Sequence, residues 1–190
     1  MNINEIIMKK LLSSLIVIAA LLFTVNLSLS AQEEHIANKL FYSELGGPGV
    51  IMSVNLDSRF SANNRLGFGF RLGTGFGVGN IKDNQYNGYY YVRKTYYSIP
   101  AGLNYVFGKP NNKHTFEVGA GVTFLTRKVS LYNFNNDYIR KPGHAIGIFT
   151  FMYRIMPVEG GFSFRLGLTP IIGTSGDLFP MGAIGFGYAF

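Results

Sequence analysis

The chain has 190 residues, a formal net charge of +7 and no cysteine, and it is rich in glycine (24), phenylalanine (17) and tyrosine (12). The absence of cysteine excludes disulfide bonds, thiolate metal sites and lipoprotein attachment through an amino-terminal cysteine. The length fits one compact domain. The basic residues are dispersed among predicted strand ends, so the positive charge does not indicate nucleic-acid binding.

A signal peptide is predicted at the amino terminus, over residues 1–31. Lys9 and Lys10 supply the positive charge that opens such a segment, and residues 11–22 form a nearly unbroken apolar stretch. An uncleaved membrane anchor is the less favoured interpretation, because this stretch is shorter than the ~20 residues of a helical span.

The small residues at positions 28–31 suit a signal peptidase. We expect cleavage after Ala31, with cleavage after Ser30 as the alternative, and Met8 is an alternative start. The mature chain, residues 32–190, is then predicted to be a single barrel domain.

The mature chain consists of short segments in which apolar and polar or small residues alternate. In residues 183–190, one face carries Ile184, Phe186, Tyr188 and Phe190 and the other carries only alanine and glycine, because side chains alternate with period two along a strand. The pattern predicts eight strands, at residues 39–46, 50–60, 65–76, 95–107, 115–126, 144–154, 161–169 and 181–190.

Eight strands of this length predict an all-β, antiparallel, up-and-down barrel that crosses a membrane. Aromatic residues dominate the face predicted to point outward, which is the reverse of a soluble lipocalin-like barrel. Short turns are expected in the periplasm together with both termini, and long loops are expected outside the cell, at residues 77–94 and 127–143.

Two local features depart from this regular pattern. Pro100 falls on the inward face of the fourth strand, where we expect a bulge because proline has no ladder donor. The connection at residues 46–49, Gly-Gly-Pro-Gly, is too short for an external loop, and a bulged bend is the only form that we expect there.

Charged residues recur on the inward faces of the predicted strands. Charges inside a closed barrel must pair with one another, since their desolvation is otherwise uncompensated. We therefore predict an internal salt-bridge plug, with a gated proton or ion path as the alternative. The residues of this lumen network are Glu44, Asp57, Arg71, Glu117, Arg154 and Arg165.

Three basic pairs lie where the predicted external loops meet the membrane. Such pairs suit the clustered anionic oxygens of lipopolysaccharide phosphates, although ordinary solvated loop charge is an equal alternative. The pairs are Arg93 and Lys94, Arg127 and Lys128, and Arg140 and Lys141.

Catalytic and metal chemistry have little support in this sequence. The mature chain has three scattered histidines, His35, His114 and His144, and only His144, near the outer rim, is a plausible base. No serine is tied to it by spacing, so no catalytic residue is assigned. With no cysteine as well, we expect neither a metal site nor a cofactor.

The mature chain resembles a small outer-membrane β-barrel family common among Gram-negative bacteria of the Bacteroidota kind. It is more loosely similar to outer-membrane proteins A, X and W. The resemblance rests on segments 41–50, 53–60, 116–121 and 162–167 and on the terminal Gly-Phe-Gly-Tyr-Ala-Phe. It implies the fold, an outer-membrane location, and insertion by the barrel-assembly machinery through Phe190 as carboxy-terminal signal, but no activity.

The first function that we consider is a monomeric, non-enzymatic envelope or surface-interaction protein, with Tyr- and Asn-rich external loops at 87–91 and 132–138. The second is transport of small apolar molecules through a lateral opening near Pro100 and the glycines of the third strand. The third is a lipid A-modifying enzyme that uses His144. The expected partners are outer-membrane lipid, lipopolysaccharide and the assembly machinery.

Overall fold

The computed structural model describes residues 36–83, 90–129, 143–173 and 178–190. The predicted signal peptide therefore lies outside the described residues, as do Arg140, Lys141 and most of the two tyrosine-rich loops. Among the described residues, no helix is long and apolar enough to cross a membrane.

The described chain forms ten antiparallel strands and one 3₁₀ turn. The turn lies at Gly47–Gly49. The strands are β1 (Lys39–Gly46), β2 (Met52–Arg59), β3 (Gly67–Asp83), β4 (Tyr90–Gly108), β5 (His114–Val129), β6 (Gly143–Ile155), β7 (Gly161–Leu168), β8 (Ile171–Ile172), β9 (Leu178–Phe179) and β10 (Gly182–Ala189).

Eight of these strands close into a barrel. Strands β1 to β7 pair in chain order, and β10 pairs with both β7 and β1. Closure leaves the eight-stranded sheet without an open edge, so the backbone groups along the wall are paired with one another. The prediction of an eight-stranded antiparallel barrel is confirmed.

The two ends of the barrel differ. The terminal end carries the start of β1, the end of β10 and three short turns, at residues 60–66, 109–113 and 156–160. The opposite end, the loop end, carries the 3₁₀ turn, the hairpin between β3 and β4, the connection between β5 and β6, and the small β8–β9 hairpin. Strands β3 and β4 stay paired as far as Asp83 and Tyr90 and thus run well beyond the point where β1 ends.

Strands β8 and β9 continue the wall strands β7 and β10. Leu168 pairs with Gly182, and Ile171 pairs with Phe179 in the same register. This register places Pro170 directly opposite Pro180. The pairing is interrupted at this rung, where the carbonyl of Pro170 faces β6 and accepts a hydrogen bond from the N–H of Phe149.

The fourth strand keeps its register past Pro100. Gly75 pairs with Ser98 and Leu72 pairs with Ala101, and Pro100 itself lies opposite Thr123 of β5. The predicted bulge at this position is therefore wrong. The missing donor interrupts the β3–β4 pairing locally, which does not require an extra residue in either strand. A register shift occurs instead between β5 and β6, beyond Phe124.

The outer face of the barrel is apolar and rich in aromatic side chains. Phe68, Tyr97 and Phe162 are each 66% exposed, although they occupy strand positions that a soluble protein would bury. Neighbouring rings contact one another across strands, as Phe68 and Tyr105 do with ring centroids 4.8 Å apart. The alternation thus directs apolar side chains outward and polar or small side chains inward.

Candidate functional site

The centre of the barrel is occupied by ion pairs around Glu117. Its Oε2 accepts a hydrogen bond from Arg154 Nη1 at 2.9 Å, and its Oε1 accepts one from Arg165 Nη2 at 3.2 Å. Arg71 Nη1 lies 3.7 Å from the same Oε1. All four side chains are at most 2% exposed. One buried carboxylate therefore serves three buried guanidinium groups.

Asp57 forms the second part of this network. Its Oδ1 lies 2.5 Å from Arg59 Nη2 and 3.6 Å from Arg154 Nη1. Asn104 links the same groups, because its amide nitrogen donates to Asp57 while its oxygen accepts from Arg59. Arg154 thus lies between the two carboxylates and joins their clusters.

Glu44 extends the network towards β1. Its Oε1 lies 3.4 Å from Arg165 Nε. The guanidinium of Arg165 also lies over the ring of Tyr42, 4.2 Å from its centroid, a position in which the ring face attracts a cation. Three kinds of contact therefore fix Arg165 in the barrel interior.

The structure brings all six predicted lumen residues together in this one network. The sequence interpretation missed three others, Arg59, Arg65 and Asn104, which are also buried. The sequence contained a signal for Arg59 and Arg65, namely their position in the alternation of side chains along a strand. Arg59 has the same strand parity as Asp57, and Arg65 has the parity of Arg71.

Arg65 ties together two turns at the terminal end. Its Nη2 donates a hydrogen bond of 2.6 Å to the carbonyl of Met156, at the start of the β6–β7 turn. Burial lowers the pKa of Arg65 from its usual value, because desolvation disfavours the charged form, and repulsion by Arg154 acts in the same direction.

The terminal end of the lumen is closed by the residues that precede β1. Ala37 is fully buried against Leu40, Tyr42, Met156 and Ala189. The backbone N–H of Ala37 donates to Val158, and the side-chain amide of Asn38 donates to the carbonyls of Ser61 and Ala62. This segment therefore crosses the mouth of the barrel and joins two of its turns.

The loop end is closed by the 3₁₀ turn, which is folded into the lumen. Gly47, Pro48 and Gly49 are buried. Thr123 donates to the carbonyl of Pro48 at 2.8 Å, and Ser98 donates to that of Gly49 at 3.0 Å. The Gly-Gly-Pro-Gly connection is therefore short because it folds into the lumen and does not form an external loop.

An apolar cluster lies at the same end of the lumen. Its buried members come from β4, β5, β6 and β8, and Val50, Phe179 and Met181 pack against them. Tyr96 lies on the glycine face of β3, where a Cβ at Gly77 would be 2.4 Å from its ring. The five buried residues are Tyr96, Leu125, Ile146, Ile148 and Ile171. The ion pairs thus lie between an apolar layer at each end.

Four of the six predicted lipopolysaccharide-contact residues lie in described strands at the loop end. Arg93 and Lys94 are in β4, and Arg127 and Lys128 are in β5, which pairs with β4. Arg127 is exposed and Lys94 is half-buried. All four residues lie beyond Ser98 and Leu125, where the described β4–β5 pairing ends.

His144 lies exposed at the loop end, with its Nδ1 3.0 Å from the carbonyl oxygen of Leu125. In the described part of the chain, no hydroxyl or carboxylate side chain forms a hydrogen bond with this ring. His114 is at the terminal end, in contact with Tyr153. The described residues also contain no group of three potential metal ligands.

Phe190 follows the last strand and continues its pairing. Its N–H donates to the carbonyl of Lys39, and the N–H of Lys39 donates to Phe190 in return, both at 3.0 Å. The final residue therefore completes the β1–β10 seam, and its side chain is 43% exposed on the outside.

The fold and its interior define a closed eight-stranded antiparallel barrel whose lumen is filled by its own side chains. The chain is similar to the solved N-terminal β-barrel domain of Pseudomonas aeruginosa OprF, with 16% identity over 84% of this chain and 100% of that chain and a TM-score of 0.48.

It is also similar to Ail, the attachment invasion locus protein of Yersinia pestis, solved in complex with the heparin analogue sucrose octasulfate. That match has 14% identity over 81% of this chain and 97% of the other, with a TM-score of 0.36. No family model matches the chain, and no curated protein matches it.

Proposed function

We propose that the chain is an integral outer-membrane β-barrel with a non-enzymatic role in the envelope or in surface interactions. The observation that carries this proposal is the combination of an apolar outer face with a closed, ion-paired interior. A soluble barrel needs a polar exterior, whereas a bilayer favours this arrangement. On this proposal the terminal end faces the periplasm and the loop end faces the outside.

The first test combines gel migration with conductance. The purified mature protein in detergent should migrate differently before and after heating, because a closed barrel resists unfolding by detergent at low temperature. In planar bilayers it should give no stable channel, since an eight-stranded barrel has room only for its own side chains. A steady single-channel current would contradict the closed lumen and favour transport.

Surface interaction is proposed for the basic residues at the loop end. Replacing Arg93, Lys94, Arg127, Lys128, Arg140 and Lys141 by Gln should weaken lipopolysaccharide binding by up to about 10⁴-fold, since each basic residue close to an anionic surface contributes about 1 kcal/mol. Isothermal titration with purified lipopolysaccharide measures this change. Unchanged binding would contradict the proposal.

Transport of small apolar molecules is the second candidate, and the β5–β6 seam favours it more than the region of Pro100 does. The β5–β6 pairing lapses between Phe124 and Val129, next to Leu125 and Ile146 of the apolar cluster. Photolabelling with an alkyl diazirine in vesicles tests this candidate. Label on these inward residues would support it, and label confined to outward residues would oppose it.

A further inference from the structure

The β4–β5 turn at the terminal end presents two free lysines. Lys109 and Lys113 are both exposed. The turn between them is fixed, because the N–H of Asn112 donates to Lys109 at 3.1 Å and the side chain of Asn112 accepts from the N–H of His114 at 3.0 Å. In the described part of the chain, neither ammonium group forms an ion pair. The two positive charges therefore project from a rigid turn.

A wall of exposed aromatic rings lies next to this turn on the outer face. Phe107 is the last residue but one of β4, and Phe116 is the third residue of β5. Their ring centroids are 5.9 Å apart. Tyr153 continues the wall, 5.6 Å from Phe116, and the ring of His114 stacks on Tyr153 at 5.9 Å. Charge and apolar surface thus meet at one place on the barrel wall.

The other two terminal-end turns do not share this combination. The residues of the β2–β3 turn before Arg65 carry no charge, and the β6–β7 turn carries the acidic Glu159. The β6–β7 turn adjoins the β4–β5 turn, since the N–H of Met156 donates to the carbonyl of Lys113. The carboxylate of Glu159 forms no ion pair with either lysine among the described residues. Among the described residues of this rim, the exposed positive charge therefore lies at the β4–β5 turn and at Lys39, since Arg65 is buried.

We propose that the β4–β5 turn binds the phosphodiester headgroup of an anionic glycerophospholipid. The ammonium groups of Lys109 and Lys113 contact the phosphate, and the acyl chains lie along Phe107 and Phe116. Lysines at the headgroup level with aromatic rings below them match the polarity profile of a membrane interface. The inference rests on the proposed membrane location, and it concerns the leaflet opposite to lipopolysaccharide.

Native mass spectrometry of the folded protein from mixed micelles tests this inference. With equal amounts of phosphatidylglycerol and phosphatidylcholine, the wild-type protein should retain phosphatidylglycerol preferentially. Each lysine near an anionic surface contributes roughly fivefold, so Lys109→Gln with Lys113→Gln should reduce the preference by about 20-fold. Salt at ~1 M should weaken the wild-type preference as well.

Lys39→Gln is the matched control, because Lys39 is exposed at the same end but lies on β1, away from the β4–β5 turn. It should reduce the preference by at most the roughly fivefold of one lysine near an anionic surface, clearly less than the double variant does. An equal loss in the control and in the double variant would overturn the inference, as would a wild-type protein without preference. Heat-dependent gel migration of each variant shows separately whether the barrel is folded. Failure of the lipid site can therefore be distinguished from failure of the proposed barrel.

Discussion

At Glu117, three guanidinium groups lie 2.9–3.7 Å from one buried carboxylate. Each of these arginines has left water, and its desolvation is compensated only by the carboxylates that it contacts. Arg71 has an ion pair with no other carboxylate among the described residues, whereas Arg154 also faces Asp57 and Arg165 also faces Glu44. Arg71 therefore depends most on Glu117.

Glu117→Gln should lower the free energy of unfolding by about 3–5 kcal/mol, because it leaves buried cations uncompensated. Urea titration of the protein refolded in lipid vesicles, followed by gel migration, measures this change. The variant should remain non-conducting, since its side chain still fills the lumen.

Glu159→Gln provides the control for this prediction. It removes a carboxylate from an exposed turn, so stability should change by at most ~0.5 kcal/mol. Equal effects of the two substitutions would indicate that the ion pairs around Glu117 do not stabilise the barrel.

The alternation of side chains along a strand was sufficient to predict which charged residues within the wall strands point inward. It applied equally to Arg59 and Arg65, but these residues lie at a strand end and in a turn, where parity alone does not establish burial. Ile146 and Ile148 show that inward-facing residues of this barrel need not be polar. They share the strand face of His144, and they are buried because they pack against Tyr96, Leu125 and Ile171 at the loop end.

At the scale of elements, the strands were predictable and the connections were not. The bounds of the eight wall strands agree within about one to three residues, except where β3 and β4 continue beyond the barrel wall, and the short strands β8 and β9 were not predicted. The inward fold of Gly47–Gly49 depends on hydrogen bonds from Thr123 and Ser98, which are 49 or more residues away along the chain. No local sequence signal contains that information.

Gly46→Ala should displace this turn. Gly46 has φ +72°, and a Cβ there would lie 2.3 Å from the carbonyl oxygen of Gly182. We expect a loss of stability of about 2–4 kcal/mol, from left-handed backbone strain together with the clash. Urea unfolding in vesicles measures the loss.

The companion substitution is Gly67→Ala. Gly67 also has a positive φ, +93°, but a Cβ there would have no heavy atom within 4 Å. Its loss of about 1–2 kcal/mol would report backbone strain alone. If both variants lost the same stability, close packing of the turn against β10 would not contribute.

At the scale of the whole molecule, the polarity of the outer face determines whether the barrel is stable in water or in a bilayer. From Tyr97 to Tyr105, β4 rises about 26 Å along the strand, which corresponds to ~20 Å across a bilayer at the usual strand tilt. An apolar belt of this height suits the hydrocarbon region of a thin bilayer.

Leu72→Arg should distinguish a membrane barrel from a soluble one. Leu72 is 51% exposed at mid-height on β3, where an arginine facing lipid costs about 2–4 kcal/mol. Folding equilibria in vesicles measure the cost. In a soluble barrel, an exposed arginine at this position would be neutral or favourable.

Phe60→Arg supplies the depth control. Phe60 is 63% exposed at the terminal-end rim, where the expected cost falls to about 0–1 kcal/mol. A cost that is independent of depth would argue against a bilayer around the barrel.

The opposed prolines at the loop end have a consequence for association between molecules. Strand β1 stops at Gly46, so β9 pairs only with β8 among the described residues and presents an open edge. Because Thr169 donates to Met181, the backbone groups of the next residue, Pro180, point towards this open edge. Proline offers no N–H there, so a strand from another chain finds no donor at that position. The rung that interrupts the hairpin thus also makes the open edge at β9 a poorer template for β-aggregation.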